Sequence, residues 1–299
     1  MARALRIPID SFTDWQELLF HLPDPRTFNE KEELKIDIIY KCPEYIDPEI
    51  WPILTAYICG IRAREHNVSV AFDIGKGCSS VHYAGRMGFF KHIGVPYEYP
   101  YQERDPAGRF IPITQIKSGS YTLDPEFADK ISQDLDLDDQ MSKAIVFSVG
   151  ELIANITLHA ESPSGGMLYG QRFPNNRTAM FILVDPGVGI HSAFQNGKNE
   201  EYHNMSEEEC LKICLDQGVS CGDGRGHGLF VIREIISRNL GTLRIISGKH
   251  YVSIVNGNVS INKMPHWQGT LIFCEFNLDI KVDMNNVFES YGYEPLELW

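Results

Sequence analysis

The stretch GDGRGHGLF, residues 222–230, sets a glycine at every second position (Gly222, Gly224, Gly226 and Gly228) just before an apolar run, Leu229 to Ile236, that reads as a helix. Glycine reaches positive φ without steric cost and lets another group approach the main chain closely, so this spacing predicts a loop wrapped around something. The helix behind it opens with free N–H groups and the positive end of a dipole, which suits phosphate. Two common phosphate loops are excluded. His227 stands three places after Gly224 and Leu229 three places after Gly226, so G-x-G-x-x-G fails, and G-x-x-x-x-G-K-[ST] is absent.

A chain of 299 residues has room for two domains, and 43% hydrophobic with 22% charged residues describes a soluble globular protein. The net charge of −13 argues against a surface for nucleic acid or anionic membrane, whose affinity comes from Lys and Arg. The start, MARALRIPIDSF, lacks the apolar centre of a signal peptide. No run approaches the roughly 18 uninterrupted apolar residues of a membrane span, so a cytoplasmic location is expected. The seven cysteines include no C-x-x-C pair. Cys210 and Cys214 lie one helical turn apart with Cys221 beyond, and they read as small core thiols of a reducing compartment, with no metal cage.

The first third alternates strand-like and helix-like stretches: LKIDIIY (34–40), a helix in IWPILTAYICGIRAREH, VSVAFDI (68–74), then a helical SSVHYAGRMGFFKHIG. That alternation predicts an α/β unit over residues 1–100. Residues 101–124 read as a linker in which Phe110, Ile111 and Ile113 suit an edge strand. Two helices follow, PEFADKISQDLD and DDQMSKAIVFSVGELIANITLHA, and then strands and loops to residue 280. The tail, 281–299, is aromatic and acidic, suited to packing on the body or to touching a partner.

On a helical wheel Ile145, Val146, Val149, Leu152, Ile153, Ile156 and Ala160 form one apolar arc, and Glu151, Asn155 and His159 form a polar stripe on its edge. The stripe is either a solvated face or a carboxylate base, an oxygen ligand and an imidazole held on one surface, equipment for Mg²⁺ and a triphosphate. Further on, an apolar strand, Ala179 to Val184, runs into Asp185, Gly187 and Gly189. That is either a simple turn or a buried carboxylate waiting for an exocyclic amine, with glycines letting a flat base lie against the backbone.

Taken together, Glu151-x-x-x-Asn155, Asp185-x-Gly187-x-Gly189 and Gly224-x-Gly226-x-Gly228-Leu229 resemble the GHKL ATP-binding superfamily of anti-sigma kinases, histidine kinases and gyrase-type ATPases. The resemblance covers residues 125–280, including the closing strand GTLIFCEF (269–276). It implies a two-layer α/β sandwich of Bergerat type with a mixed sheet, binding ATP or ADP with Mg²⁺. By the same resemblance Asp185 accepts the adenine amine, Gly187 and Gly189 shape the base pocket, and Thr270 lies near the base. Asn155 holds Mg²⁺, Glu151 orients the nucleophile for attack on the γ-phosphate, and His159 approaches a phosphate oxygen. The box Gly222, Gly224, Arg225, Gly226, His227, Gly228 and Leu229 hinges an ATP lid formed by residues 191–221, expected to be polar and mobile with one short helix. His227 departs from the apolar residue many members carry there.

The order of elements over about 30–100 resembles the STAS fold of anti-anti-sigma factors. The turn that in regulatory members carries a phosphorylated serine reads YIDPEIW here: Asp47 matches, while Pro48 and Glu49 offer no hydroxyl, and Ser79 and Ser80 lie elsewhere. A docking domain is therefore expected, STAS-like or an unrelated α/β unit. The combined reading is a Mg-ATP-dependent partner-switch regulator, an ATPase or serine kinase with a regulatory protein partner, with homodimerisation left open. Its rival is a noncatalytic module whose lid closure controls docking.

Overall fold

The structure, a computed structural model, describes residues 3–10, 13–29, 33–74, 78, 80–98, 108–117, 123–222 and 226–292. The chain opens with β1 (Arg3–Ile9), α1 (Trp15–Phe20), β2 (Glu33–Tyr40), α2 (Ile50–Ala63), β3 (Asn67–Ile74), α3 (Val81–Arg86) and α4 (Phe89–Ile93). These strands form a three-stranded parallel sheet, β1-β2-β3, joined by α2 as crossover. β1 and α1 were not anticipated. The single helix expected over 79–94 is two, because Gly88 breaks it in the left-handed region (φ 82°).

The rest comprises β4 (Phe110–Ile116), α5 (Pro125–Asp134), α6 (Asp139–His159), β5 (Gly166–Phe173), β6 (Thr178–Asp185), α7 (Ile190–Gln195), α8 (Glu207–Ile213), α9 (Gly228–Arg238), β7 (Thr242–Val255), β8 (Asn258–Asn277) and α10 (Met284–Glu289). Five strands pair in the order β4-β5-β6-β8-β7. Every pair is antiparallel, which corrects the expected mixed sheet: hairpins join β5 to β6 and β7 to β8, and no crossover returns a strand in parallel. The stretch 101–124 contributes β4, the edge strand anticipated at Phe110, Ile111 and Ile113.

Both faces of this sheet are buried. Leu168, Phe181, Leu183, Ile272, Cys274 and Phe276 face α5, α6, α9 and α10, while Met167, Tyr169, Met180, Ile182, Leu271 and Phe273 face α1 and α2. The period of two along each strand sorts the two sets. α2 is apolar almost all round and buried along nearly its whole length, as a helix sandwiched between two sheets must be. α6 is long and apolar enough to cross a membrane, and its apolar arc packs inside this core.

Two further expectations change. The lid segment holds α7 and α8 instead of one helix, and its Phe194, Tyr202, Cys210, Leu211, Cys214 and Leu215 join the main core. α8 is closed by a capping box between Ser206 and Glu209. The Asp47–Pro48–Glu49 turn leads into α2 with Glu49 at its N-cap, close enough to Arg244 of β7 and Glu275 of β8 to feel their charges. Desolvation, with the Asp47 charge adding to it and Arg244 opposing, pushes the Glu49 carboxyl up to about 7. The described part of the tail, up to Gly292, folds back: Phe288 packs on Phe147 and Tyr291 on Phe230.

Candidate functional site

β6 ends at Asp185, in register with Thr270 of β8. Asp185 is almost wholly buried, and its Oδ1 accepts the Gly187 N–H at 2.8 Å. Burial pushes the carboxyl up to about 7 against the opposing hydrogen bonds from Gly187 and from the backbone and side chain of Thr270. The loop beyond is held from several directions. Trp267 Nε1–H donates to the Asp185 carbonyl at 3.3 Å, and the Gln268 side-chain amide donates to the Gly187 carbonyl. Val188 N–H donates to the Ala160 carbonyl at 2.8 Å, tying the loop to the end of α6.

The glycines of this loop answer to the protein itself. A Cβ on Gly187 would lie 2.0 Å from the Ala160 oxygen, and one on Gly189, whose φ is 80°, would lie 2.7 Å from Ser247 Oγ. Close approach of the chain's own backbone at Gly187, and of Ser247 at Gly189, leaves no room for a side chain at either position. Ser247 Oγ accepts the Ile190 N–H at 2.9 Å and donates to the Gly269 carbonyl at 2.8 Å, closing the corner.

The polar stripe of α6 is half-buried. Glu151 meets the start of α9, where a Cβ on Gly228 would lie 2.3 Å from Glu151 Oε2, and desolvation raises its carboxyl above the ordinary range. Asn155 Nδ2 is buried without a hydrogen-bond partner. A buried orphan donor costs roughly 1–3 kcal/mol, so this amide is a place where a ligand is worth having. His159 Nδ1 lies 3.6 Å from Cys221 Sγ, and a Cβ on Gly222 would lie 3.3 Å from His159 Cε1. Desolvation lowers the His159 pKa, which favours the neutral ring.

α9 begins at Gly228, and its N-cap, His227, makes no side-chain cap hydrogen bond. Leu229 packs on the main core. Gly226 has φ 67° and accepts the Gly218 N–H at 3.1 Å, which stitches the end of the lid to its middle. Gly224 and Arg225 lie outside the described residues.

No family model matches the chain, and no curated protein matches it. The site therefore rests on its geometry: a buried acceptor at a strand end, an uncapped helix start and an orphan amide, gathered around one end of α6. Ser247, Trp267 and Gln268 escaped the sequence reading, because they carry no motif and reach the loop only through the register of β7 and β8 with β6.

Proposed function

We propose that the protein binds Mg-ATP among α6, the 185–189 loop and the start of α9, and that it is a regulatory ATPase or protein serine kinase of the GHKL, partner-switch kind. The reading rests on one observation, convergence: Glu151 meets Gly228, His159 meets Gly222, Ala160 holds Val188, and Asp185 pairs with Thr270, four contacts among segments far apart in sequence. Asp185 would accept the adenine amine and reject the guanine oxygen. The α9 N-terminus and His159 would meet phosphate oxygens.

Among the described residues no group of three or more His, Cys, Asp or Glu stands ready for a metal. Mg²⁺ would therefore be held by Asn155 Oδ1 together with phosphate oxygens, while the orphan Nδ2, a donor, would meet a phosphate oxygen. Bound there, Mg²⁺ would neutralise phosphate charge. Glu151 would orient a water or a protein hydroxyl. A cytoplasmic setting, a STAS-like N-terminal unit and a regulatory protein partner belong to the same reading.

A second reading, nucleotide-dependent docking without turnover, is favoured by the Gly228 wall against the Glu151 carboxylate, which leaves that group little room for a nucleophile in this conformation. Titration of the wild type and Asp185→Ala with ATP and GTP tests the first claim. Tight ATP, weak GTP and at least a tenfold loss in Asp185→Ala are expected, because an unpaired buried polar group discriminates strongly. Equal ATP affinity in both proteins sinks the assignment. Phosphate release by the wild type then separates enzyme from module.

A further inference from the structure

Arg64 and Gly60 at the end of α2 both touch Pro186 in the 185–189 loop. Arg64 closes α2, and its guanidinium bridges two carbonyls: Nη1 donates to Gly60 at 2.9 Å and Nη2 to Pro186 at 2.5 Å. Gly60 is the seat on which Pro186 rests, since a Cβ there would lie 2.6 Å from both Cβ and Cγ of the proline ring. The ring is rigid, so the seat accepts only glycine without displacing the loop.

Pro186 stands between the two residues that matter most for base recognition. Its carbonyl and the Gly187 N–H belong to one planar peptide unit. The carbonyl end is held by Arg64, and the N–H end donates to Asp185 Oδ1 at 2.8 Å. Turning that plane about its axis would break both bonds at once. A charged donor on the carbonyl also polarises the unit and strengthens the N–H as a donor.

We propose that Arg64 is a positioning residue for purine recognition: it fixes the 186–187 peptide plane, which in turn fixes the Asp185 carboxylate, so that the placement of α2 sets nucleotide affinity and base choice. The purine part of this inference rests on the ATP-binding reading; the mechanical link from Arg64 to Asp185 does not. The surroundings leave few competing explanations. Asp185 is influenced by its burial, Gly187 and Thr270, and Arg64 by its own desolvation and the nearby Asp24 and Arg26. The cleft beside the loop, lined by Tyr57, Pro186, Trp267 and Gln268 among others, belongs to this joint.

The test is a set of full-length variants, Arg64→Gln, Arg64→Lys and Gly60→Ala, each first shown to melt cooperatively. Arg64→Gln is expected to weaken ATP about tenfold, the size of a lost charge-assisted hydrogen bond, and to narrow the ATP-over-GTP preference. Arg64→Lys, a point donor that reaches one carbonyl at a time, should recover part of the loss. Gly60→Ala should reproduce it from the other side of the contact.

In an Asp185→Ala background Arg64→Gln should then have no further effect, because the pathway ends at that carboxylate. Equal losses in both backgrounds would overturn the proposal, since a merely structural role is indifferent to Asp185. Carboxyl ¹³C titration of Asp185 in nucleotide-free protein separates the two ideas: Arg64→Gln should move its midpoint upward. A midpoint that stays put overturns the Arg64 link even if ATP binds, whereas a shifted midpoint with no ATP binding retires the nucleotide reading and leaves the link standing.

Discussion

Asp185 is a carboxylate kept where water cannot reach it, and that fact has a sign. Its folded pKa, pushed up to about 7, lies above the unfolded value near 3.9, so the folded state holds the proton more tightly between those limits. Stability from this group is full below about pH 4 and is lost as pH rises towards 7, at up to about 1.4 kcal/mol per pH unit. Glu49, also pushed up to about 7, acts in the same window with the same sign, whereas His159, whose pKa is lowered, acts oppositely and costs stability as pH falls below the ordinary imidazole range. Melting curves of nucleotide-free protein between pH 5 and 8 should therefore slope less in Asp185→Asn than in the wild type, and least in Asp185→Asn with Glu49→Gln; parallel slopes would refute the burial argument. Nucleotide binding should run the other way. An adenine amine needs a charged acceptor, so ATP should bind more tightly as pH rises from about 5.5 to 7.5, measured by calorimetry, and the trend should vanish in Asp185→Asn.

Two helices, α6 and α9, would make the phosphate side of the proposed site, and they meet directly. A Cβ on Gly228 would stand 2.3 Å from Glu151 Oε2, the far end of a flexible side chain. Gly228→Ala should thus cost about 1–2 kcal/mol by forcing the carboxylate aside, while in a Glu151→Ala background the same change should be neutral or stabilising by up to about 1 kcal/mol, alanine being the better helix former. Denaturant melts of the four proteins give the coupling, and additive values would mean the contact is not there. The stripe also separates roles one turn apart on α6. Glu151→Ala should lose 10²- to 10⁴-fold in any phosphoryl transfer while keeping ATP; Asn155→Ala should lose Mg²⁺-dependent binding as well, which titration with and without Mg²⁺ will read.

At the scale of the whole molecule both sheets pack on α2, so the N-terminal unit and the five-stranded sheet share one core. Removing the N-terminal unit would bare Met167, Tyr169, Met180, Ile182, Leu271 and Phe273 together, at about 1.5–3 kcal/mol each, which rivals the 5–15 kcal/mol net stability of a typical domain. A fragment of residues 108–292 is expected to be insoluble or molten; a soluble fragment with a cooperative melt would refute this. In the full chain, incubation with labelled Mg-ATP should leave residues 1–100 unlabelled, because Pro48 and Glu49 offer no hydroxyl at the turn before α2, and phosphate found by mass spectrometry on Ser79 or Ser80 would overturn that alignment. Much of this architecture was legible in the chain. The apolar arc and polar stripe of α6, the strand running into Asp185, the edge strand at 110–116 and the small core thiols Cys210 and Cys214 follow from period, composition and punctuation, all local properties that twenty neighbouring residues carry. β1 was missed because its alternation is short and mixed with charge, and the order within the lid because Phe194, Tyr202 and Leu211 are too widely spaced to show a period. Tertiary structure alone decided what Gly187, Gly189 and Gly228 pack against, that the sheet is antiparallel and buried on both faces, that Asn155 Nδ2 is orphaned, and that Arg64 clamps Pro186 from 122 residues away. Those depend on which distant surfaces meet, and a sequence records the pattern of one surface without recording the other that presses on it.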